Sequence, residues 1–265
     1  MYINGEKLKV RRYSSGEFKF IRSVLDKYII NNKVEILYEN KFSFFELLLI
    51  LNYYKKKNVL IDLILAYLPY QRMDHEGRDE LDTVNYVADI LNKLELNSLV
   101  ICEPHCDISN FNNSKQFSFV NYIKDKLFEE INFDYEKDII VLADKGGVKR
   151  YGYISKNNVY FNKVRDMETG LITKHEIVGD VDVNRNLVIV DDIISTGDTL
   201  FNIIEELGRL GARKIYVVSG HIENNKYNKR IYEHEKVISV YSSNSLKKKG
   251  VKKLKLFDVK DMFYK

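Results

Sequence analysis

The 265-residue chain contains no tryptophan, two prolines and two cysteines. Cys102 and Cys106 flank one histidine without a second cluster, which excludes a zinc framework, and a chain of this length needs no disulfide scaffold. Its longest apolar run, residues 63–69, is far shorter than the ~20 residues of a membrane span. Residues 1–6 show no apolar signal region. These absences predict a soluble, cytoplasmic protein that does not contact a membrane.

The charge balance excludes another class of partner. The 42 basic residues barely outnumber the 38 acidic ones, which gives a formal net charge of +4. This balance argues against a nucleic-acid-binding protein. Apolar residues make up 45% and charged residues 30% of the chain, the profile of an ordinary globular protein with ample core.

Apolar runs recur along the chain, and each is followed by a segment of helical period. This alternation predicts an α/β fold with largely parallel sheets and flanking helices. Because the runs are continuous rather than alternating, both sheet faces should be covered. The predicted strands are 34–38, 59–68, 98–103, 139–143, 187–190, 214–219 and 237–240. The predicted helices are 42–54, 81–94, 116–131, 147–155 and 199–210.

A coarse duplication is plausible, with one half-domain at residues 1–130 and a second at 131–265. Ligands of open parallel sheets bind outside the carboxyl ends of the strands. Both prolines and three acids lie at such ends, namely Pro69, Pro104, Asp144, Asp191 and Asp192. Polar residues are therefore expected to collect on one edge of each predicted sheet.

The segment that follows the apolar run 187–190 carries the most specific signal. Two acids are followed by Ser-Thr-Gly-Asp-Thr and then by a helical pattern. A glycine lets the chain turn and expose amide groups, and a helix N-terminus adds partial positive charge, so this segment predicts a phosphate site. The two acids repel phosphate but can accept hydrogen bonds from the vicinal hydroxyls of a ribose. The predicted ribose-phosphate residues are Asp191, Asp192, Ser195, Thr196, Gly197, Asp198 and Thr199.

This segment resembles the phosphoribosyl-diphosphate loop of type I phosphoribosyltransferases and phosphoribosyl-diphosphate synthetases. Five further segments have the order and spacing of the ribose-phosphate diphosphokinases. Those enzymes transfer the β,γ-diphosphate of ATP to the anomeric hydroxyl of ribose 5-phosphate. The five segments are Arg12–Glu17, Tyr70–His75, Glu103–His105, Ala143–Gly147 and Asn162–Arg165. The resemblance implies two phosphoribosyltransferase-like half-domains.

The resemblance also implies roles for individual residues. The implied ATP-binding residues are Tyr13, Glu17, Arg72, Asp74 and His105. Tyr13 and Glu17 would reach the adenine from a neighbouring subunit, which implies a homo-oligomer, either a dimer or a hexamer. His105 and Asp144 would hold the Mg²⁺ on ATP. Lys163 and Arg165 would be the catalytic residues, on a mobile loop, because diphosphoryl transfer depends on charge neutralisation.

The chain departs from the family pattern at several of these positions. Ser15 stands for an acid, Met73 for a glutamine and His75 for an arginine, and the first half-domain is expected to be trimmed at its start. Asp198 stands for a second glycine. Within ~4 Å of phosphate, at an effective dielectric of ~20, it would cost about 4 kcal/mol per unit charge unless it turned outward. ADP-ribose, whose 5-phosphate is esterified, is therefore an alternative acceptor.

Two further hypotheses stay open from the sequence. A phosphoribosyltransferase would consume phosphoribosyl diphosphate and would not need ATP. A non-catalytic regulatory homologue would bind nucleotide without turnover. The segments around Arg72, His105 and Lys163 favour a diphosphokinase over the transferase.

Overall fold

The structure is a computed structural model that describes residues 1–40, 43–75, 80–165, 172–247 and 249–264. At residues 163–165 and 172–175 it describes the backbone alone. The chain divides into two compact units, one formed by Met1–Phe117 with Asp258–Lys265 and the other by Ser118–Phe257. These limits differ from the halves expected from the sequence, 1–130 and 131–265, and that division stays a prediction.

The first unit is built on a six-stranded sheet with the strand order β2-β1-β5-β6-β7-β8, in which β5 to β8 are parallel. A separate antiparallel hairpin is formed by β3 and β4. The strands are β1 (Tyr2–Ile3), β2 (Glu6–Lys7), β3 (Arg11–Arg12), β4 (Phe18–Lys19), β5 (Lys33–Tyr38), β6 (Leu60–Leu65), β7 (Ser98–Cys102) and β8 (Ser114–Phe117). The helices are α1 (Arg22–Asp26), α2 (Phe44–Lys56), α3 (Thr83–Asn92) and, from the end of the chain, α8 (Val259–Phe263).

The second unit is built on a seven-stranded sheet with the order β11-β10-β9-β12-β13-β14-β15, parallel except for β11. The strands are β9 (Ile139–Leu142), β10 (Asn158–Arg165), β11 (Ile172–Val178), β12 (Leu187–Ile194), β13 (Ile215–Ile222), β14 (Val237–Ser243) and β15 (Leu254–Phe257). The helices are α4 (Phe119–Ile131), α5 (Lys145–Tyr151), α6 (Asp198–Arg209) and α7 (Lys229–Glu233), with a 3₁₀ turn at Gly152–Ile154.

Local sequence explains the main elements that position the site. Helix α2 starts at Ser43, which forms a reciprocal capping box with Glu46 and so satisfies backbone donors at the helix start. Strand β12 is buried along Leu187–Val190, as expected for a central strand covered on both faces. Helix α6 buries one apolar stripe against the sheet, and the stripe consists of Leu200, Ile203, Ile204 and Leu207.

The expected α/β class with largely parallel sheets is confirmed. Several predicted element boundaries differ from the structure by three or four residues, and two of these differences are explained by local contacts. The helix expected at 116–131 starts at Phe119, because Ser118 caps it and residues 114–117 pair with β7 instead. The strand expected to end at Val190 continues to Ile194. In the described residues no helix combines the length and the hydrophobicity needed to cross a bilayer.

Candidate functional site

Asp191 and Asp192 lie inside strand β12 rather than in a loop. The strand pairs with β13 as far as Ile194, with Asp191 opposite Ser219. Ile193 and Ile194 are buried, so the strand is held by apolar contacts beyond the two acids. Asp192 is 1% exposed, whereas Asp191 is partly exposed. The expectation that the ribose-phosphate loop begins at Asp191 is therefore corrected, since the loop begins after Ile194.

The two acids belong to a charge cluster with Asp144 and Arg150. A guanidinium nitrogen of Arg150 lies 3.6 Å from Oδ2 of Asp192. Burial opposes the charge on Arg150, but Asp192, Asp191 and Asp144 outweigh it and raise the Arg150 pKa. Burial, together with the charges of Asp192 and Asp144, raises the pKa of Asp191 well above its ordinary value. The cluster therefore stores repulsion at Asp191, which a hydrogen-bond donor on a ligand would relieve.

This repulsion predicts that Asp191→Asn stabilises the fold. The amide is nearly isosteric and removes a charge that burial and two carboxylates disfavour. At pH 7.5, in EDTA, Tm should rise by about 2–4 °C, the change that ~1 kcal/mol produces in a chain of this size class. Below the ordinary pKa of 3.8 the carboxyl is protonated in both states, so the gain should shrink as the pH falls to 5. The exposed Asp180→Asn is the control, and an equal or lower Tm for Asp191→Asn would contradict this reading.

The turn from β12 into α6 is held in place by residues from a distant segment. Ser195 donates a hydrogen bond from Oγ to Oε2 of Glu223 at 2.7 Å. The side-chain amide of Asn228 donates to the backbone oxygens of Ser195 (3.0 Å) and Glu223 (2.8 Å). Gly197 has φ +81°, and a Cβ there would lie well inside 3.0 Å of Ile231 Cδ1. The turn therefore needs glycine for its backbone conformation and for the close approach of α7.

Asp198 is the first residue of α6, and its carboxylate is already paired. Thr196 donates its hydroxyl proton to Asp198 Oδ2, and Arg230 forms an ion pair with Oδ1. These two contacts lower the pKa of Asp198, so the group is ionised at neutral pH. Its side chain is 68% exposed. The carboxylate that the sequence placed in the phosphate loop is thus engaged by a cation.

Asp144 caps helix α5, and its carboxylate accepts a hydrogen bond from the amide of Gly147 at 2.9 Å. The same side chain lies 3.1 Å from where a Cβ on Gly146 would stand, so glycine at 146 keeps this space open. Across the described ranges, no three side chains of His, Cys, Asp or Glu are grouped to hold a metal ion. A Mg²⁺ ion at Asp144 would thus need oxygens from a substrate and from water, which suits an ion that keeps several waters.

In the first unit, Tyr13 and Glu17 lie on the hairpin of β3 and β4. The backbone amide of Tyr13 donates to the oxygen of Glu17 at 2.9 Å, and Ser15 Oγ donates to the Glu17 carboxylate at 2.9 Å. Tyr13 is 54% exposed, and beside it Phe45 is 68% exposed. These residues line an open hollow of about 570 Å³. The hairpin therefore presents an aromatic ring and a carboxylate together.

Arg72, Asp74 and His105 lie in the segments that follow β6 and β7. Two non-glycine residues adopt positive φ there, Tyr70 at +63° and Glu103 at +41°, and such strain concentrates at functional sites. The fully buried Gln71 joins the segments, because its Oε1 accepts the backbone amide of His105 at 2.8 Å. The structure therefore ties the segments of Arg72 and His105 together.

Two substituted positions near Arg72 are explained in part. His75 Nδ1 lies 2.9 Å from a carboxylate oxygen of Asp74, and this contact raises the His75 pKa. A protonated His75 can thus supply the cation expected from an arginine at this position. Met73 is 40% exposed, and the described residues do not explain why it stands in the place of a glutamine.

The backbone of Lys163 and Arg165 lies in strand β10, where Lys163 pairs with His175 and Arg165 with Ile172 of β11. The two side chains lie outside the described part of the structure, as do residues 166–171. Their predicted catalytic role therefore stays a prediction.

Comparisons with known proteins bear on the family. No protein-family model matches the chain. The ribose-phosphate pyrophosphokinase of Mycoplasmopsis pulmonis is 34% identical over 171 residues, 61% of this chain and 51% of that protein. That of Mycoplasma genitalium is 28% identical over a 281-residue alignment, 98% of this chain and 81% of that protein. The chain is thus similar in sequence to ribose-phosphate pyrophosphokinases. The match spans only about half the length of the first of these relatives.

A solved structure shares the fold of this chain. The phosphoribosylpyrophosphate synthetase from Mycobacterium smegmatis superposes with a TM-score of 0.75 at 20% identity. The match covers 96% of this chain and 86% of that one. Both compact units therefore take part in the shared fold.

Four residues of the site carried no signal in the sequence. Glu223 lies 28 positions from Ser195, and Arg230 lies 32 positions from Asp198. Asn228 and Arg150 are likewise brought in by the packing of α7 and α5, and no short motif marks them. A search for cations following a strand end would have found Arg150, which comes soon after β9.

Proposed function

We propose that this protein transfers the β,γ-diphosphate of ATP to the anomeric hydroxyl of a ribose-phosphate acceptor and releases AMP. The observation that carries the proposal is the turn at residues 195–199 of a ribose-phosphate pyrophosphokinase relative. There a glycine of positive φ leads into the N-terminus of a twelve-residue helix. Free amides and the helix dipole favour phosphate at this place, and the acids of β12 precede it directly.

The second unit would hold the acceptor. Asp191 and Asp192 are proposed to accept hydrogen bonds from the two ribose hydroxyls, which Asp192, at 1% exposed, would do only after turning out of its buried position. Donors on the sugar offset the repulsion stored at Asp191. Ser195, Thr196 and Thr199 provide hydroxyl groups around the phosphate. The name of the relatives, ribose-phosphate pyrophosphokinase, favours ribose 5-phosphate as the acceptor. ADP-ribose, which would give ADP-ribose pyrophosphate in NAD salvage, is the alternative.

Several further residues are proposed to act on ATP. Arg72 and Asp74 contact the phosphates, and Tyr13 and Glu17 contact the adenine of a neighbouring subunit, in a dimer or a hexamer. Lys163 and Arg165 neutralise the charge of the diphosphate as it is transferred. His105 and Asp144 would hold Mg²⁺, which neutralises phosphate charge when it is bound. The exposed ring of Tyr13 supports the adenine role, since aromatic faces stack on bases.

The proposal is tested by AMP release. The protein is incubated with ATP and Mg²⁺, together with ribose 5-phosphate or ADP-ribose, and AMP is separated by chromatography. We expect AMP and a diphosphorylated acceptor in equal amounts with one acceptor at least. A phosphoribosyltransferase would instead release diphosphate from phosphoribosyl diphosphate only when a base is added, without ATP. A regulatory homologue would bind nucleotide and release no AMP with either acceptor, and that result would refute the proposal.

A further inference from the structure

The contacts of Asp198 and Arg230 bear on which phosphate the site accepts. Asp198 places a negative charge at the first turn of α6, where the helix dipole and free amides favour an anion. Thr196, which could donate to a phosphate, donates to this carboxylate instead. The turn thus already carries the carboxylate of Asp198, besides that of Glu223 on Ser195, and a bound phosphate must compete with these anions.

Arg230 is fixed beside this anion by several contacts. Its guanidinium carbon lies 4.7 Å from the centre of the Phe201 ring, a cation–π geometry. The next residue, Ile231, packs against Gly197, and Asn228 is bonded to the backbone of Ser195. Within the described residues, the buried Nε of Arg230 has no hydrogen-bond partner. That Nε is too buried to meet a ligand, but the Arg230 side chain is 36% exposed, so the open edge of its guanidinium can meet a further acceptor while it pairs with Asp198.

A fixed anion next to a fixed cation can distinguish ligands by the charge on the phosphate group and by whether a second phosphate follows it. A phosphomonoester that is doubly ionised is repelled by Asp198 more strongly than the phosphate of a diphosphate ester, which carries one charge fewer. The second phosphate of such an ester continues away from the ribose and can accept from Arg230. The repulsion grows in proportion to the ligand charge. A monoester has no second phosphate and therefore cannot make this contact with Arg230.

We propose that Asp198 and Arg230 are specificity-determining residues that favour a ribose whose 5-phosphate is part of a diphosphate ester over ribose 5-phosphate. The inference rests on the proposed function, because it takes residues 195–199 as the acceptor site. Asp198 disfavours the second negative charge of a monoester, and Arg230 binds the phosphate that follows. Among the two acceptors named above, the pair selects ADP-ribose.

Calorimetric binding without ATP or Mg²⁺ tests this pair separately from catalysis. The probes are ribose 5-phosphate and ADP-ribose, and the variants are Asp198→Asn and Arg230→Gln. The parent should bind ADP-ribose about ten-fold more tightly or better. Asp198→Asn should tighten ribose 5-phosphate about ten-fold and change ADP-ribose less than about three-fold. Arg230→Gln should weaken ADP-ribose about ten-fold, the usual effect of losing a charge-assisted hydrogen bond.

The chain offers a matched control in the exposed ion pair of Asp182 and Arg185, whose closest atoms are 3.2 Å apart. Asp182→Asn and Arg185→Gln should leave both affinities unchanged. Tighter parent binding of ribose 5-phosphate, or an equal change for both probes in Asp198→Asn, would overturn the inference while AMP release could still support the function. The expected binding shifts without AMP release would refute the proposed function alone. If neither probe bound, the inference would fall, and AMP release would still decide the proposed function.

Discussion

Lys163→Ala is expected to lower kcat for AMP release by about 10²–10³-fold, the range seen when one group that stabilises transition-state charge is removed. Diphosphoryl transfer leaves little covalent chemistry to the protein, so the rate depends on cations near the transferring group. The KM for each substrate should change much less than kcat, because the cation acts mainly on charge that develops in the transition state. Steady-state kinetics with the better acceptor measure both quantities.

A second lysine provides the control for this experiment. Lys156 is exposed in the same unit, just before strand β10, and Lys156→Ala should keep the parental kcat. Both variants should keep the parental Tm. A lower turnover in Lys163→Ala would then come from the missing cation and not from unfolding. Parental turnover in Lys163→Ala would remove Lys163 from the catalytic residues. A chain without turnover in any variant would instead match the regulatory homologue.

The fold could be predicted from the sequence where a short continuous segment determines its own secondary structure. The run 187–190 is apolar throughout and lies in the centre of the second sheet. The same reasoning stopped the strand at Asp191, because two carboxylates are unusual in a buried strand. The strand continues since β13 runs alongside it to Ile222, and that pairing is not local information. Strand β8 was missed because Ser114–Phe117 has neither an apolar run nor clear alternation.

In the candidate site, too, some features follow from a short segment of sequence, and others depend on residues that lie far away in the chain. Gly197 and the helix start after it follow from a short motif, because a turn of positive φ and a helix N-terminus are local events. The partners of that motif do not follow from it. Arg230 reaches Asp198 only because Ile231 packs against Gly197. The sequence can thus show that a loop is suited to phosphate. The position of Arg230, which changes the charge at that loop, depends on how another segment packs.

The same packing makes Gly197→Ala a disruptive substitution in the second unit. The residue has φ +81°, which costs a side chain about 1–2 kcal/mol. The new Cβ would also overlap Ile231 Cδ1, and overpacking adds roughly 1–3 kcal/mol. Tm should fall by about 5–15 °C at 2–4 °C per kcal/mol. Acceptor binding should weaken at least about ten-fold, because the amides of the turn are displaced.

Gly211→Ala separates the two causes, since Gly211 lies at the other end of α6 with φ +101° and its nearest neighbour is Val183 Cγ2 at 3.9 Å. This variant has the backbone cost without the overlap, so its Tm should fall by less than half as much and its acceptor affinity should be unchanged. Adding Ile231→Val to Gly197→Ala removes the overlapping methyl group and should recover part of the lost Tm. If both glycine variants lost the same Tm and kept the same affinity, α7 would not restrain the phosphate turn.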